Sequence, residues 1–150
     1  MLFHFKRGVT LVEVLVIIVI SVILVTTVSA QFSNLRKNQA LQAATTEVVS
    51  VLKKANSQTL ASIDSSQYGV HFGTDTVIIF KGMAYPSDSD ETISLTSPAY
   101  ISNISLSGGG SDVYFQRLTG EPNKTGTITI SISGASKIIT IGATGIISVN

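Results

Sequence analysis

The chain contains no cysteine. A disulfide framework, a catalytic thiol and a thiolate metal site are thereby excluded. Charge is scarce as well, at 13 % of the 150 residues. Beyond Ala30 it also cancels, with eight basic and eight acidic side chains. Residues 31–150, at zero net charge, lack the field of a strong nucleic-acid binder. No HExxH, GxSxG or P-loop pattern occurs, and Ser107-Gly108-Gly109-Gly110 is not followed by the lysine and helix of a phosphate cradle. No catalytic set emerges and no cofactor is expected, so the reading is not an enzyme. Proline and glycine are missing from Val9 through Ser66, which leaves that stretch free of helix breakers.

What is present begins with Lys6, Arg7 and Gly8, followed by an almost unbroken apolar run to Ala30. About 22 residues at 1.5 Å each would cross a hydrocarbon layer of ~30 Å. In lipid an unpaired backbone is so costly that such a span is expected to be helical despite its many Val and Ile. Glu13 is the only charge in the run. A carboxylate there costs ~2.5–3.5 kcal/mol or more, which marks it as functional. After Ala30, Leu41, Ala44, Val48, Leu52 and Ala55 recur at helical spacing and form one apolar stripe. One helix is therefore expected from about Val9 to about Ser62.

After Ser65 the period changes to two. Tyr68–Phe72 and Val77–Phe80 flank Gly73–Thr76 as a hairpin. Thr92–Leu95, Tyr100–Leu106, Val113–Phe115, Thr127–Ser133, Ile138–Ile141 and Ile146–Val149 read as further short strands. A helix followed by antiparallel strands predicts an α+β fold, with a long N-terminal helix packed on a C-terminal β-sheet head. The expected division is leader 1–8, membrane or filament-core helix 9–30, amphipathic continuation 31–64 and β-rich head 65–150.

Lys6-Arg7-Gly8-Val9-Thr10-Leu11-Val12-Glu13 resembles the class III signal of type IV pilins and type II secretion pseudopilins. The resemblance implies cleavage by a prepilin peptidase between Gly8 and Val9, N-methylation of Val9, Lys6 and Arg7 as the basic leader, and Glu13 as an assembly residue. Tyr68-Gly69-Val70 and the arrangement of strands from Val113 to Gly145-Ile146-Ile147 resemble the GspH/FimT family of minor pseudopilins. The implied protein is a structural minor subunit of a type II secretion pseudopilus or type IV pilus-like filament, near its tip. Its implied partners are other pilin subunits, the prepilin peptidase and an inner-membrane assembly platform. The implied location is the bacterial inner membrane, crossed once, with the N-terminus cytoplasmic and the head outside.

Other readings compete. Val28-Ser29-Ala30 before Gln31 could end an ordinary signal peptide and release a secreted β-rich module. The run could also be an uncleaved anchor oriented by Lys6 and Arg7. A DNA-binding minor pilin is a further alternative, but the tail Gly142–Asn150 has no lysine or arginine. Asp88, Asp90 and Glu91 could offer hard oxygen ligands to Ca²⁺, although a solvated acidic loop is the preferred reading and no metal is assigned. His4 falls in the leader. His71 is expected to be an exposed strand residue. The sequons at Asn103 and Asn123 are read as unmodified.

Overall fold

A computed structural model describes residues 9–150, and the side chains of all of these except 27–34. Helix α1 spans Leu11–Leu60. A single-turn 3₁₀ helix, Ile63–Ser65, follows. Eight strands complete the chain: β1 Tyr68–Phe72, β2 Thr76–Lys81, β3 Glu91–Ser94, β4 Tyr100–Leu106, β5 Asp112–Tyr114, β6 Gly126–Ile132, β7 Ala135–Ile141 and β8 Ile147–Val149. The chain divides into two units, Met1–Arg36 and Lys37–Asn150.

In the second unit the expected stripe is the face that packs. Leu41, Ala44, Val48, Leu52 and Ala55 are all buried. Thr45 and Thr59 lie among them, and each hydroxyl donates one turn back along the helix, to the carbonyls of Leu41 and Ala55. Thr59 Oγ1 also accepts the Tyr68 N–H at 2.9 Å. One buried hydroxyl thus ties the end of α1 to the start of β1. The helix stops slightly short of the expected Ser62, because Ser62 turns left-handed at φ 49. A residue in that conformation ends a helix, a place usually taken by glycine.

The strands form two antiparallel sheets, ordered β3-β2-β1-β5 and β4-β6-β7-β8. A single sheet was the expectation. β4 pairs with β6 from Tyr100↔Ser131 to Leu106↔Gly126, not with the preceding β3. Alternation fixes which side chains point inward, but it does not choose the neighbouring strand. Inward residues of both sheets join the α1 stripe in one core, among them Val70, Phe72, Val77, Ile79, Val113, Ile128, Ile130, Ile139 and Ile141. A register shift between Ile101 and Asn103 interrupts the alternation in β4. β7 begins earlier than expected. Gly134, at φ 94, lets Ser133-Gly134 close the hairpin in two residues, so that Ile132 pairs with Ala135. A positive φ at the second central residue of a turn favours glycine there. Phe115 leaves β5 and instead bridges to Pro122.

Candidate functional site

The candidate site is the first turn of α1. Val9 and Thr10 precede the helix. Thr10 is its N-cap: the Thr10 carbonyl accepts the Val14 N–H at 3.2 Å. Its hydroxyl accepts the Glu13 N–H, also at 3.2 Å. The first is the opening i→i−4 bond of the helix, and the second satisfies the Glu13 N–H, a donor that a helix start leaves without a backbone partner. Thr10 and Glu13 stand at the spacing of a capping box, and an acid in the first turn sits at the favourable end of the helix dipole. Thr10-x-x-Glu13 was readable in the sequence as this local signal. The expectation used the two residues only as part of the family motif.

From Leu11 to Val25 the large apolar side chains are 46–81 % exposed, in all directions around the helix. The hydroxyls of Ser21 and Thr26 turn inward. Ser21 Oγ donates to the Ile17 carbonyl at 2.8 Å, and Thr26 Oγ1 to those of Val22 and Ile23 at 3.1 and 2.9 Å. Side chains that bond back to their own helix need no outside partner, which suits apolar surroundings. Among the described residues no helix is long and apolar enough to cross a membrane. This differs from the span expected over 9–30. Lys6, Arg7, Gly8 and His4 lie outside the described residues.

The acidic loop does not converge. Asp90 accepts from the backbone and hydroxyl of Ser87, at 3.2 and 2.6 Å. Glu91 points to α1 instead, where Lys54 Nζ donates to both its oxygens at 2.7 and 2.6 Å. Among the described residues no group of three or more acidic or histidine side chains could hold a metal ion. Asp88, Asp90 and Glu91 are thus not brought together.

His71 is not an exposed strand residue. Its Nδ1 is hydrogen-bonded to Asp112, and its ring stacks on Tyr85 with centroids 4.0 Å apart. Nothing local to His71 signals this, since Asp112 arrives 41 residues later. A further pair, Lys81 Nζ to Asp64 Oδ2 at 3.0 Å, closes the junction after α1. The hydrogen bond and charge of Lys81 hold the Asp64 carboxyl below its ordinary range, and the hydrogen bond to Asp64 raises Lys81.

Residues 4–29 match the prokaryotic N-terminal methylation motif. The motif indicates a prepilin-like pilin or pseudopilin substrate and supports a type IV pilin-like chain. It implies processing by a prepilin peptidase and a structural rather than enzymatic role. No curated protein and no solved structure matches the chain.

Proposed function

We propose that this chain is a minor pseudopilin of the GspH/FimT type, a structural subunit of a type II secretion pseudopilus or type IV pilus-like filament. Gly8 and Val9 flank the cleaved bond, Val9 carries the methyl group, and Lys6 and Arg7 hold the leader on the cytoplasmic side. Residues 9–30 anchor the subunit in the inner membrane before assembly and line the filament core afterwards. Residues 31–64 continue the helix, and the head, 65–150, faces outward. The observation that carries this reading is the methylation motif over 4–29, followed by a helix whose apolar side chains are exposed on every side. Such a surface is stable only in lipid or among other apolar helices.

Glu13 carries the assembly step. Cleavage creates an α-amine on Val9, and in a filament the amine of an adjacent subunit can meet the Glu13 carboxylate. Pairing offsets the cost of an apolar setting, less the desolvation of the amine. Glu13→Val is expected to insert and be cleaved like the parent, while its share in sheared filaments, normalised to membrane level, falls by about tenfold, the equivalent of ~1.4 kcal/mol. Equal incorporation of Glu13→Val and parent would remove Glu13 from the assembly step.

A further inference from the structure

The sheet β4-β6-β7-β8 turns one face to the core and leaves the other open. Strand pairing sets the open face in rungs. Ser105, Thr127, Thr140 and Ser148 lie side by side across all four strands. Two residues further along β6, Asn103, Thr129 and Ile138 make a second rung. Tyr100, Ser131 and Ser136 make a third. None of these side chains is buried. Neighbours stand roughly 4.8 Å apart across the strands and roughly 6.8 Å apart along them. The result is a grid of hydroxyls with one amide, Asn103. Two larger side chains rise from it, Tyr100 and Ile138, 43 and 41 % exposed.

Two properties set this face apart. Its hydroxyls are unengaged. Among the described residues, none of the four in the first rung bonds to another part of the chain, nor does that of Thr129. Elsewhere Thr45, Thr59, Ser87 and Thr96 all direct theirs into the fold. Only the corner beside Tyr100 is tied: Ser102, in the β4 bulge, donates to the Thr129 carbonyl at 3.2 Å and lies 2.6 Å from Ser131 Oγ. The face is also uncharged. Across the four strands the one charged side chain is Lys137. It stands opposite core residue Ile130, and its ammonium donates to Gln42 of α1, on the other side of the sheet. Strand propensity favours threonine and isoleucine but not asparagine. Exposed edges are ordinarily blunted with charge, and β4 and β8 carry none. Neither rule yields a neutral grid of this kind.

We propose that this face docks an uncharged polysaccharide. A hydroxyl donates one hydrogen bond and accepts two, so rows of hydroxyls match a hydroxylated polymer in either sense. Regular rungs suit a partner whose groups recur along its length. Tyr100 and Ile138 offer apolar contact to the C–H faces of sugar rings, since an aromatic ring with a polar tip works where one side is apolar and the other wet. A phosphate or carboxylate polymer calls for cations, and this face has none. A lipid surface calls for a continuous apolar or basic face, which is also missing. The inference goes beyond the filament reading and does not depend on it, because every residue it uses lies in the unit Lys37–Asn150.

The test passes the full-length chain, in a detergent without a sugar headgroup, over cellulose, chitin and amylose, with alginate as the anionic probe. Retention on at least one uncharged polymer, unchanged by added salt, is expected, with free passage through alginate. Free passage through all three uncharged polymers overturns the proposal. So does retention that salt abolishes, or equal retention on alginate, because either reports charges outside this face. Thr127→Val with Thr140→Val then removes two neighbouring hydroxyls while keeping the branched shape that strands favour. Binding is expected to fall about tenfold at an undiminished thermal midpoint. Ser148→Ala, on the edge strand and clear of the core, is the second variant, with an expected loss of about threefold. Thr46→Val, on exposed α1 surface, should bind like the parent. Full binding by both face variants, or an equal loss in Thr46→Val, overturns the proposal. Every one of these results leaves cleavage before Val9, and with it the filament reading, as it was.

Discussion

At the residue scale the first turn of α1 makes the sharpest demands. Among the described residues, Thr10 caps the Glu13 amide. Thr10→Ala is expected to cost ~0.5–2 kcal/mol of local helix stability, and Thr10→Ser to cost almost nothing. Faster amide hydrogen exchange at Val12 and Glu13 in Thr10→Ala alone checks this; equal exchange in both variants would remove the cap. The Asp64–Lys81 pair makes a second demand, on pH. The Asp64 pKa is lowered on folding, so its contribution is present above the ordinary Asp value of ~3.9 and is lost as pH falls through the lower, folded value. Lys81 is raised, so its contribution is present below the ordinary Lys value of ~10.4 and disappears as pH climbs through the higher, folded one. An NMR titration should place the Asp64 midpoint below the ordinary value and return it upward in Lys81→Met. His71 shows what a single sequence leaves out. Its alternation with Val70 and Phe72 was readable, but its half-buried place beside Asp112 and Tyr85 depends on segments that only folding brings near.

At the scale of elements, local period carries far. Helix α1 and the inward faces of β1, β2, β6 and β7 follow from spacing alone, because a residue and its neighbours three, four or two positions away share a face whatever lies opposite. The choice of partner strand does not follow, and that is why one expected sheet is two. Gly126 marks where this choice is enforced. It sits at φ 155 opposite Leu106, and a Cβ there would come within 2.0 Å of the Ser105 carbonyl oxygen. That contact is backbone and cannot swing away. Gly126→Ala is expected to destabilise by ~1–3 kcal/mol through overpacking, seen as a lower urea midpoint with the same slope. An unchanged midpoint would mean that β4 and β6 separate there without cost. Leu52, wholly buried on the stripe, should cost more, ~2–5 kcal/mol as Leu52→Ala.

At the scale of the whole molecule an apolar N-terminal helix precedes a stretch, residues 31–150, whose charges cancel. Eight basic and eight acidic residues beyond Ala30 predict no appreciable DNA binding by the full chain in low-salt gel shifts. Micromolar affinity with a steep salt slope would contradict this, since that slope counts neutralised phosphates. The α+β class was legible because the period changes once, near Ser65, while the mutual order of the sheets was not. The filament reading rests on a short N-terminal signal, and its chemistry is decided at one peptide bond. Mass spectrometry of the chain recovered from its native membrane tests this most directly. The account predicts a mature chain that begins at Val9, heavier by one methyl group. A chain that begins at Gln31, or one that keeps Met1 through Gly8, would contradict it.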